Sequence, residues 1–438
     1  MAHRTDRRTS LILVLCVAAW CGCAESDAPS GMAPAASAGS PGDAGAPGAS
    51  GAAVSAAGAP AAGGAQAGGT SGSGRGGAPG ASAGAASPSG GATGAGAALA
   101  LVYVGSSNGQ ISIYKLDPAL GQLSLLKSLD AGNYPSFIAF DPTFAHLYAV
   151  NEPDGKVAAF EVDRKNGDLT LLNRVDSGGG APAFVSVERT GKFVMVANYD
   201  AGTTRVFPIA ADGGLGAATD SKSPGMNPHM ILTDPAGKFA FVVNKGSDTI
   251  SQYVFDATAG KLTPNSLPSV TVPVGAGPRH LAFHPSGKYA YLIAEADDTM
   301  TAYSYDATLG QLTATQAPLS TLPMGADGAS NTCAEVVVAP SGKFVYGSNR
   351  GHDSIATFAV EEATGKLTFV GTTPSGGMVP RSFALSGDGS LMLVANESGN
   401  VTTFSVDVAS GSLAKLKSLE VPQKAQFVGT INLPISAE

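Results

Sequence analysis

Residues 275–312 read GAGPRHLAFHPSGKYAYLIAEADDTMTAYSYDATLGQL, and this stretch decides the fold. It contains short runs of alternating apolar and polar side chains, such as Met300 to Tyr305. Turn residues separate these runs, for example Pro285-Ser286-Gly287-Lys288. Alternation with a period of two, interrupted by Pro, Gly, Asp and Ser, is typical of short antiparallel strands joined by tight turns. The stretch therefore predicts a four-stranded antiparallel sheet, which needs neighbouring sheets to bury both of its faces.

The first turn of this sheet recurs along the chain and shows where the neighbours come from. Its central position falls at Phe144, Gly191, Gly237, Gly287, Gly342 and Gly389. A period of about 40–50 residues with four strands per unit is the sequence signature of a β-propeller. Residues 100–129 supply three more strands and residues 426–433 supply one. We therefore expect an all-β, seven-bladed β-propeller, whose ring is closed by pairing of the N- and C-terminal strands.

The chain divides into three regions by composition. Residues 1–22 combine basic residues with an apolar segment too short to span a bilayer, as in an export signal. Residues 23–98 are rich in Gly, Ala, Ser and Pro and poor in large apolar side chains, which predicts a disordered tether. Residues 99–438 form the propeller domain. A closed propeller ring has no natural internal boundary, so we expect this region to be one domain.

The end of the export signal resembles a bacterial lipoprotein cleavage site, because a small residue, Gly22, precedes Cys23. On this interpretation Cys23 becomes lipidated, and the protein is exported and anchored in the bacterial cell envelope. An ordinary secretory signal, cleaved nearby, is the alternative. A mature chain that begins at Cys23 keeps only one other cysteine, Cys333, so no disulfide framework is predicted.

Composition and motifs exclude several classes of function. The formal charge is −8, from 34 acidic and 26 basic residues without a basic stripe, so we expect no nucleic-acid partner. The chain lacks the sequence motifs of phosphate-binding loops, dinucleotide sites and zinc proteases, so no cofactor and no metal are predicted. His280 and His284 would lie about 13 Å apart on a strand, too far for one ion. The only membrane contact that we expect is the lipid anchor.

Strand direction gathers polar residues on one rim of the ring. In an antiparallel blade, the start of the first strand and the end of the second lie on the same face. The ionisable and aromatic residues at these positions include Glu152, Tyr199, His229, Arg279, His280, Glu295, Glu335, Arg350, His352, Asp353 and Arg381. Such a cluster indicates a ligand site. The structural alternative is that these groups cap strand ends and join blades, which recurrence favours for Asn151, Asn244 and Asn396.

Two segments carry a specific family resemblance: Gly277-Pro278-Arg279-His280 and residues 348–355 (SNRGHDSI). Over residues 100–433 the chain resembles the seven-bladed propeller lactonases, which include 6-phosphogluconolactonases and fungal carboxymuconate-lactonizing enzymes. The resemblance implies the catalytic set His229, Arg279, Glu295 and Arg350. The chain departs from the family at Asn244-Lys245-Gly246. Family members often have an acidic residue followed by Leu and Gly at these positions. An exported protein would also not meet the cytoplasmic phosphosugar, so that specificity is not carried over.

The resemblance leads to two hypotheses about function. The first is metal-independent hydrolysis, or formation, of a carboxylated or sugar lactone. Arg279 and Arg350 would hold a carboxylate or the developing oxyanion, and either Glu295 or His229 would act as base, with the other as acid. The expected substrate-binding residues are His280, Glu335, His352, Asp353, Arg381, Glu152 and Tyr199. The second hypothesis is a non-catalytic, surface-displayed propeller that binds a small anionic or sugar ligand or a protein partner.

Overall fold

The computed structural model of the protein describes residues 98–434. The predicted export signal, the predicted lipidation site Cys23 and the predicted tether up to residue 97 lie outside the described residues, as do residues 435–438. Within the described part, the secondary structure is β-strand apart from one short 3-10 turn at Lys245–Ser247. No helix in this part is long and apolar enough to cross a membrane.

The strands follow one another along the chain with short connections. In chain order they are β1 (Ala98–Ser106), β2 (Gln110–Asp117), β3 (Gln122–Asp130), β4 (Ile138–Phe140), β5 (His146–Asn151), β6 (Lys156–Val162), β7 (Leu169–Asp176), β8 (Pro182–Val187), β9 (Phe193–Asn198), β10 (Thr203–Pro208), β11 (Asp220–Lys222), β12 (Pro228–Thr233), β13 (Phe239–Asn244), β14 (Thr249–Asp256), β15 (Lys261–Thr271), β16 (Pro278–Phe283), β17 (Tyr289–Ala294), β18 (Thr299–Asp306), β19 (Gln311–Ala314), β20 (Leu319–Ser320), β21 (Thr332–Val338), β22 (Phe344–Arg350), β23 (Ser354–Val360), β24 (Leu367–Pro374), β25 (Pro380–Leu385), β26 (Leu391–Asn396), β27 (Asn400–Val406), β28 (Leu413–Glu420) and β29 (Ala425–Pro434).

These strands form seven antiparallel sheets, which are the blades. From the channel outward the sheets run β29-β1-β2-β3, β4 to β7, β8 to β11, β12 to β15, β16 to β19, β21 to β24 and β25 to β28, and β20 adds to the edge of β18. The stretch 275–312 folds into the blade β16 to β19. The predicted seven-bladed, all-β propeller is confirmed.

The ring closes by pairing strands from the two ends of the described chain. β29 runs antiparallel to β1, with Val104 opposite Val428 and Leu101 opposite Ile431. β29 is therefore the innermost strand of a blade whose other three strands come from the start of the domain. This pairing is the predicted closure, and it leaves neither strand with an open edge.

Burial follows the position of a strand within its blade. Most of the second strands are buried along their whole length, as in β17, because both faces of the blade pack against neighbouring blades. The outermost strands are largely exposed, as in β3. The repeated turn needs a positive φ, which Gly287 supplies at 68°. In the first copy of the turn, Phe144 adopts the same conformation at 56°.

An asparagine at the end of each of five second strands joins that strand to the preceding loop. Asn151 and Asn198 are fully buried. Their amides donate to the carbonyls of Ala131 and Ser177 at 3.0 and 2.9 Å. Asn349 donates in the same way to Thr321 at 3.1 Å. Asn244 and Asn396 also donate to loop carbonyls, at a longer 3.5 Å. These asparagines therefore have the structural role that their recurrence predicted.

Candidate functional site

A cavity of about 180 Å³ opens at one mouth of the central channel. It lies on the rim that strand direction predicted. Its lining residues are Glu152, Ala181, Ala183, Tyr199, His229, Lys245, Arg279, Glu295, Arg350 and Arg381. The structure thus brings together the four predicted catalytic residues and three of the predicted substrate-binding residues.

Four of the lining residues reach the cavity through the same backbone feature, a β-bulge after a proline. Ala183, His229, Arg279 and Arg381 each follow a proline that opens an innermost strand, and the register shifts at each of these positions. A β-bulge re-aims the side chain at the shifted position. The Pro-X pair at the start of a strand therefore selects the residue that points into the cavity.

The residue before each of these prolines is in the left-handed region. Ala181, Asn227 and Val379 have φ values of 50°, 50° and 58°, and Gly277 has 62°. For a β-branched residue such as Val379 this conformation costs about 1–3 kcal/mol. Strained backbone of this kind is concentrated around binding and catalytic sites. The turns that lead into the bulges therefore carry this energetic cost.

Five other lining residues lie at the end of the second strand of a blade. Glu152, Tyr199, Lys245 and Glu295 each come directly after such a strand, and Arg350 is the last residue of β22. Backbone hydrogen bonds fix these positions, since the Glu295 N–H donates to the Gly277 carbonyl at 2.7 Å.

Glu295 occupies the centre of a cationic cluster. Its Oε1 lies 2.7 Å from Lys245 Nζ and 3.1 Å from Arg350 Nη2. Its Oε2 lies 3.1 Å from Arg279 Nε, a contact with the distance but not the angle of a hydrogen bond. Burial acts to raise the pKa of Glu295, but Arg279, Arg350 and Lys245 outweigh it and lower the pKa to about 2. Glu295 is therefore ionised, and both of its oxygens face cations.

Arg279 is the most deeply buried cation of the cluster, with 2% of its surface exposed. Burial lowers its pKa to about 9, assisted by Arg350 and opposed by Glu295, so the guanidinium stays charged at neutral pH. Its Nη1 donates to the Ala334 carbonyl at 2.6 Å. Arg350 is anchored similarly, with Nη2 donating to the Cys333 carbonyl at 2.8 Å.

His229 faces the same cavity as a neutral imidazole. Burial lowers its pKa well below the ordinary value, and the positive charges of Arg279, Arg381 and Lys245 lower it further, as does His280. Its Nδ1 is buried and has no hydrogen-bond partner within residues 98–434. A neutral imidazole beside a polar cavity can accept a proton from water.

Arg381 contributes a second charged group to the cavity lining. Its Nη2 lies 3.6 Å from Glu152 Oε1, and its Nη1 lies 3.6 Å from Glu397 Oε1. The Ser136 hydroxyl donates a hydrogen bond to Glu152. The ion-pair distances are longer than those around Glu295. Arg381 therefore remains available to a ligand on this side of the cavity.

Four predicted substrate-binding residues do not line the cavity, because their side chains contact other groups of the protein instead. His280 and Glu335 are only 1% and 2% exposed and pair with each other at 2.8 Å. His352 is held by Ser354, with Nδ1 and Oγ 2.7 Å apart. Asp353 accepts the backbone N–H of Val379 at 2.7 Å. The last two residues satisfy polar groups of the loops between blades, which strand direction alone does not distinguish from a site.

His284 lies beside a turn at the opposite end of the strand from the cavity. Its Nε2 lies 2.9 Å from the Gly342 carbonyl and its Nδ1 lies 2.7 Å from the Ser286 hydroxyl. His280 and His284 therefore serve separate partners. Among residues 98–434, no group of three or more His, Cys, Asp or Glu side chains could hold a metal ion.

Sequence reasoning missed Lys245 as a site residue. Its Nζ lies 5.8 Å from the centre of the Tyr199 ring, in addition to its contact with Glu295. A signal was present, because Lys245 falls in the segment that departs from the family pattern. The departure places a third cation against Glu295.

Comparison with known proteins agrees with the fold. The family description "Lactonase, 7-bladed beta-propeller" matches residues 101–428. The chain belongs to the seven-bladed β-propeller lactonases. Both the predicted family and the predicted lactonase class are confirmed, and the alternative of a non-catalytic binding propeller is not favoured.

Individual relatives of this lactonase cover most of the propeller. A 6-phosphogluconolactonase from Formosa agariphila is 32% identical over 343 residues, which are 74% of this chain and 94% of the relative. One from Bacillus subtilis is 34% identical over 251 residues, 55% of this chain and 70% of the relative. The solved periplasmic gluconolactonase of Pseudomonas aeruginosa has a TM-score of 0.71 and 27% identity, covering 77% of this chain and 100% of that one.

Proposed function

We propose that this protein hydrolyses a sugar lactone of the gluconolactone type in the cavity around Glu295. The observation that carries the proposal is the convergence of His229, Arg279 and Arg350 on one small cavity. The names of the relatives, 6-phosphogluconolactonase and gluconolactonase, support the substrate class. The volume of about 180 Å³ suits a small molecule.

In the proposed reaction, His229 is the general base. It takes a proton from a water molecule while the water oxygen bonds to the lactone carbonyl carbon. The carbonyl oxygen becomes an oxyanion, which the guanidinium groups of Arg279 and Arg350 stabilise. The bond from this carbon to the ring oxygen then breaks, and the imidazolium returns the proton to that oxygen. The product is a hydroxy acid, which releases a proton at neutral pH.

Glu295 has a different role in this proposal. A carboxylate with a pKa of about 2 is a weak base at neutral pH. Its contacts with Arg279 and Arg350 instead hold the two guanidinium groups in place for the oxyanion. The sequence left Glu295 and His229 open as the base, and the charges around them favour His229.

The charge of the cavity favours an anionic substrate as a second candidate. Its lining contains four cationic side chains, Arg279, Arg350, Arg381 and Lys245, but only two carboxylates, Glu152 and Glu295. The excess positive charge attracts a substrate that carries a carboxylate or phosphate. It also stabilises the oxyanion of a neutral lactone, so an assay must separate the two candidates.

The test is acid release at constant pH from the full chain. The substrates are glucono-δ-lactone, its 6-phosphate and a carboxylated γ-lactone, each corrected for uncatalysed opening. We expect turnover of at least one sugar lactone, with the ratio between the first two giving the preference for the anion. Turnover of only the carboxylated lactone would replace the first candidate by the second. No turnover of any of the three would contradict the proposal.

Lys245 should contribute to the affinity for anions. A charge in a partly screened cavity contributes on the order of 1 kcal/mol to an anion several ångströms away. We therefore expect Lys245→Met to weaken gluconate binding about fivefold, measured by calorimetry. The matched control is Lys288→Met, which removes the same charge from an exposed turn. Equal effects of the two variants would show that only net charge matters, and not the cavity.

We also propose that the protein is exported and lipid-anchored through Cys23. Residues 1–22 support this proposal, because basic residues are followed by a short apolar segment. The Pseudomonas relative, which is described as periplasmic, also supports export. Trp20 is the single tryptophan and precedes Cys23. Processed protein extracted from membranes should therefore show tyrosine emission without tryptophan emission, and Cys23→Ser should move it to the soluble fraction. Tryptophan emission from the extracted protein would refute cleavage at Cys23.

A further inference from the structure

We propose that His280 and Glu335 form a positioning pair that acts on the substrate through Arg279. The inference rests on the proposed lactone hydrolysis, and it assigns a role to two buried ionisable groups that the reaction leaves unused. Both side chains are almost fully buried and neither lines the cavity. Arg279 connects them to the cavity.

Hydrogen bonds define the order of the groups. Glu335 Oε1 lies 2.8 Å from His280 Nδ1. A carboxylate accepts only, so Nδ1 carries the proton and Nε2 keeps its lone pair. Arg279 Nη1 lies 3.3 Å from Nε2 and 3.5 Å from Nδ1, so its guanidinium contacts the imidazole ring directly. The same Nη1 donates to the Ala334 carbonyl, the residue before Glu335.

The orientation of the His280 ring is fixed from both sides. Phe137 and Phe184 contact it edge to face, with ring centres 5.7 and 5.3 Å away, and His229 contacts it at 5.1 Å. The carboxylate selects the tautomer and the aromatic residues fix the plane. The guanidinium of Arg279 therefore contacts a ring whose position is fixed, much as a carboxylate orients a histidine that binds a metal.

Glu335 also favours the charged form of Arg279 in its buried position. Burial disfavours the guanidinium charge, and the nearby Arg350 and Arg381 disfavour it further. Glu295, which lines the cavity, and Glu335, which does not, are the carboxylates that oppose these effects. Glu335 thus supplies negative charge behind Arg279 without occupying space that the substrate needs.

Packing alone would not require this arrangement. Burying a carboxylate costs several kcal/mol, and replacing a buried ion pair by apolar residues of similar volume is often neutral or stabilising. The pair lies among phenylalanines that would pack equally well against an apolar side chain. Its contact with Arg279 is the feature that an apolar replacement would lose.

A double-mutant cycle on the full chain tests the inference. His280→Leu is made in the wild type and in an Arg279→Ala background, and kcat and KM for glucono-δ-lactone are measured for all four proteins. We expect His280→Leu to lower kcat/KM about 10–100-fold in the wild type. In the Arg279→Ala background the same change should have less than about a threefold effect, because the residue through which it acts is gone.

Two further variants separate positioning from folding. His280→Gln offers both an amide donor for Glu335 and a carbonyl acceptor for Arg279, so it should recover most of the activity. If His280→Leu does not fold, Glu335→Gln takes its place in the cycle with the same expectation. Equal losses in both backgrounds would overturn the inference while leaving lactone hydrolysis established. Failure of the wild type to hydrolyse any tested lactone would overturn the proposed function, and affinity for gluconate then replaces kcat/KM in the same cycle.

Discussion

We expect His229→Gln to lower kcat for lactone hydrolysis about a thousandfold, within the range of roughly 10²–10⁴ for loss of a general base. Glutamine keeps much of the volume of the imidazole but cannot accept and return a proton in the same way. The ring lies at the cavity with a pKa well below the ordinary histidine value, so it is neutral and ready to accept a proton at neutral pH.

The pH dependence gives the same prediction an independent readout. Protonation of His229 removes the base, so wild-type kcat/KM should fall as the pH decreases. Because burial and the surrounding cations lower the pKa of His229, this fall should lie well below pH 6.5, near which an unperturbed histidine titrates. His284→Gln, on the opposite face, is the matched control and should retain activity. If His229→Gln keeps more than a tenth of wild-type kcat, His229 is not the base.

Deleting β29 should abolish cooperative folding. The strand buries Phe427, Val428, Ile431 and Leu433 almost completely. At about 1.5–3 kcal/mol for each side chain, the loss is about 6–12 kcal/mol. The total stability of a domain is about 5–15 kcal/mol, so little would remain. The deletion also exposes the edge of β1, which invites aggregation.

The measurement is thermal unfolding of a chain that ends at residue 424, followed by circular dichroism. Asn432→Ala in the complete strand is the control, because this side chain is exposed and should leave the unfolding transition unchanged. A cooperative transition within a few degrees of the wild type would show that β29 is dispensable. The ring would then hold its shape through six blades and three strands of the seventh.

The fold could be predicted from the sequence because the same four-stranded unit, with the same first turn, recurs along the chain. Each turn around Gly191 or Gly287 reports the same backbone geometry, and the count of turns gives the count of blades. The orphan strand at 426–433 predicted closure for a similar reason, since it matched what the N-terminal blade lacked. Because the turn is repeated, several separate segments of the chain support the same prediction of a blade.

The site could be predicted only in part. Strand direction places a residue at the rim, but it does not say whether its side chain turns to the cavity or to a loop. Arg279 and Arg381 turn inward because a bulge follows a proline, whereas Asp353 turns to the Val379 N–H. The adjacent His280 points away from the cavity to Glu335. Distinguishing such neighbours requires the register shift, which alternation along a strand does not reveal.

Lys245 was missed for a different reason. The family resemblance identifies only residues that match the family pattern, and Lys245 departs from that pattern. The charge that it adds to Glu295 is visible only when β13 and β17 are placed side by side. The Pro-X pairs at the start of β8, β12, β16 and β25 are visible in the sequence, and the second residue of each pair lines the cavity.

The most direct test of the site is kcat/KM of Arg350→Ala on the lactone that the wild type hydrolyses best. Arg350 contacts Glu295 and is more accessible than Arg279, so its removal disturbs folding less. Arg164→Ala, which removes an exposed arginine bonded to the Thr143 carbonyl, is the control. Loss of an oxyanion donor predicts a fall of about 10²–10³ with little change in melting temperature. An unchanged kcat/KM in a folded Arg350→Ala protein would contradict the assignment of this cavity as the place where the lactone opens.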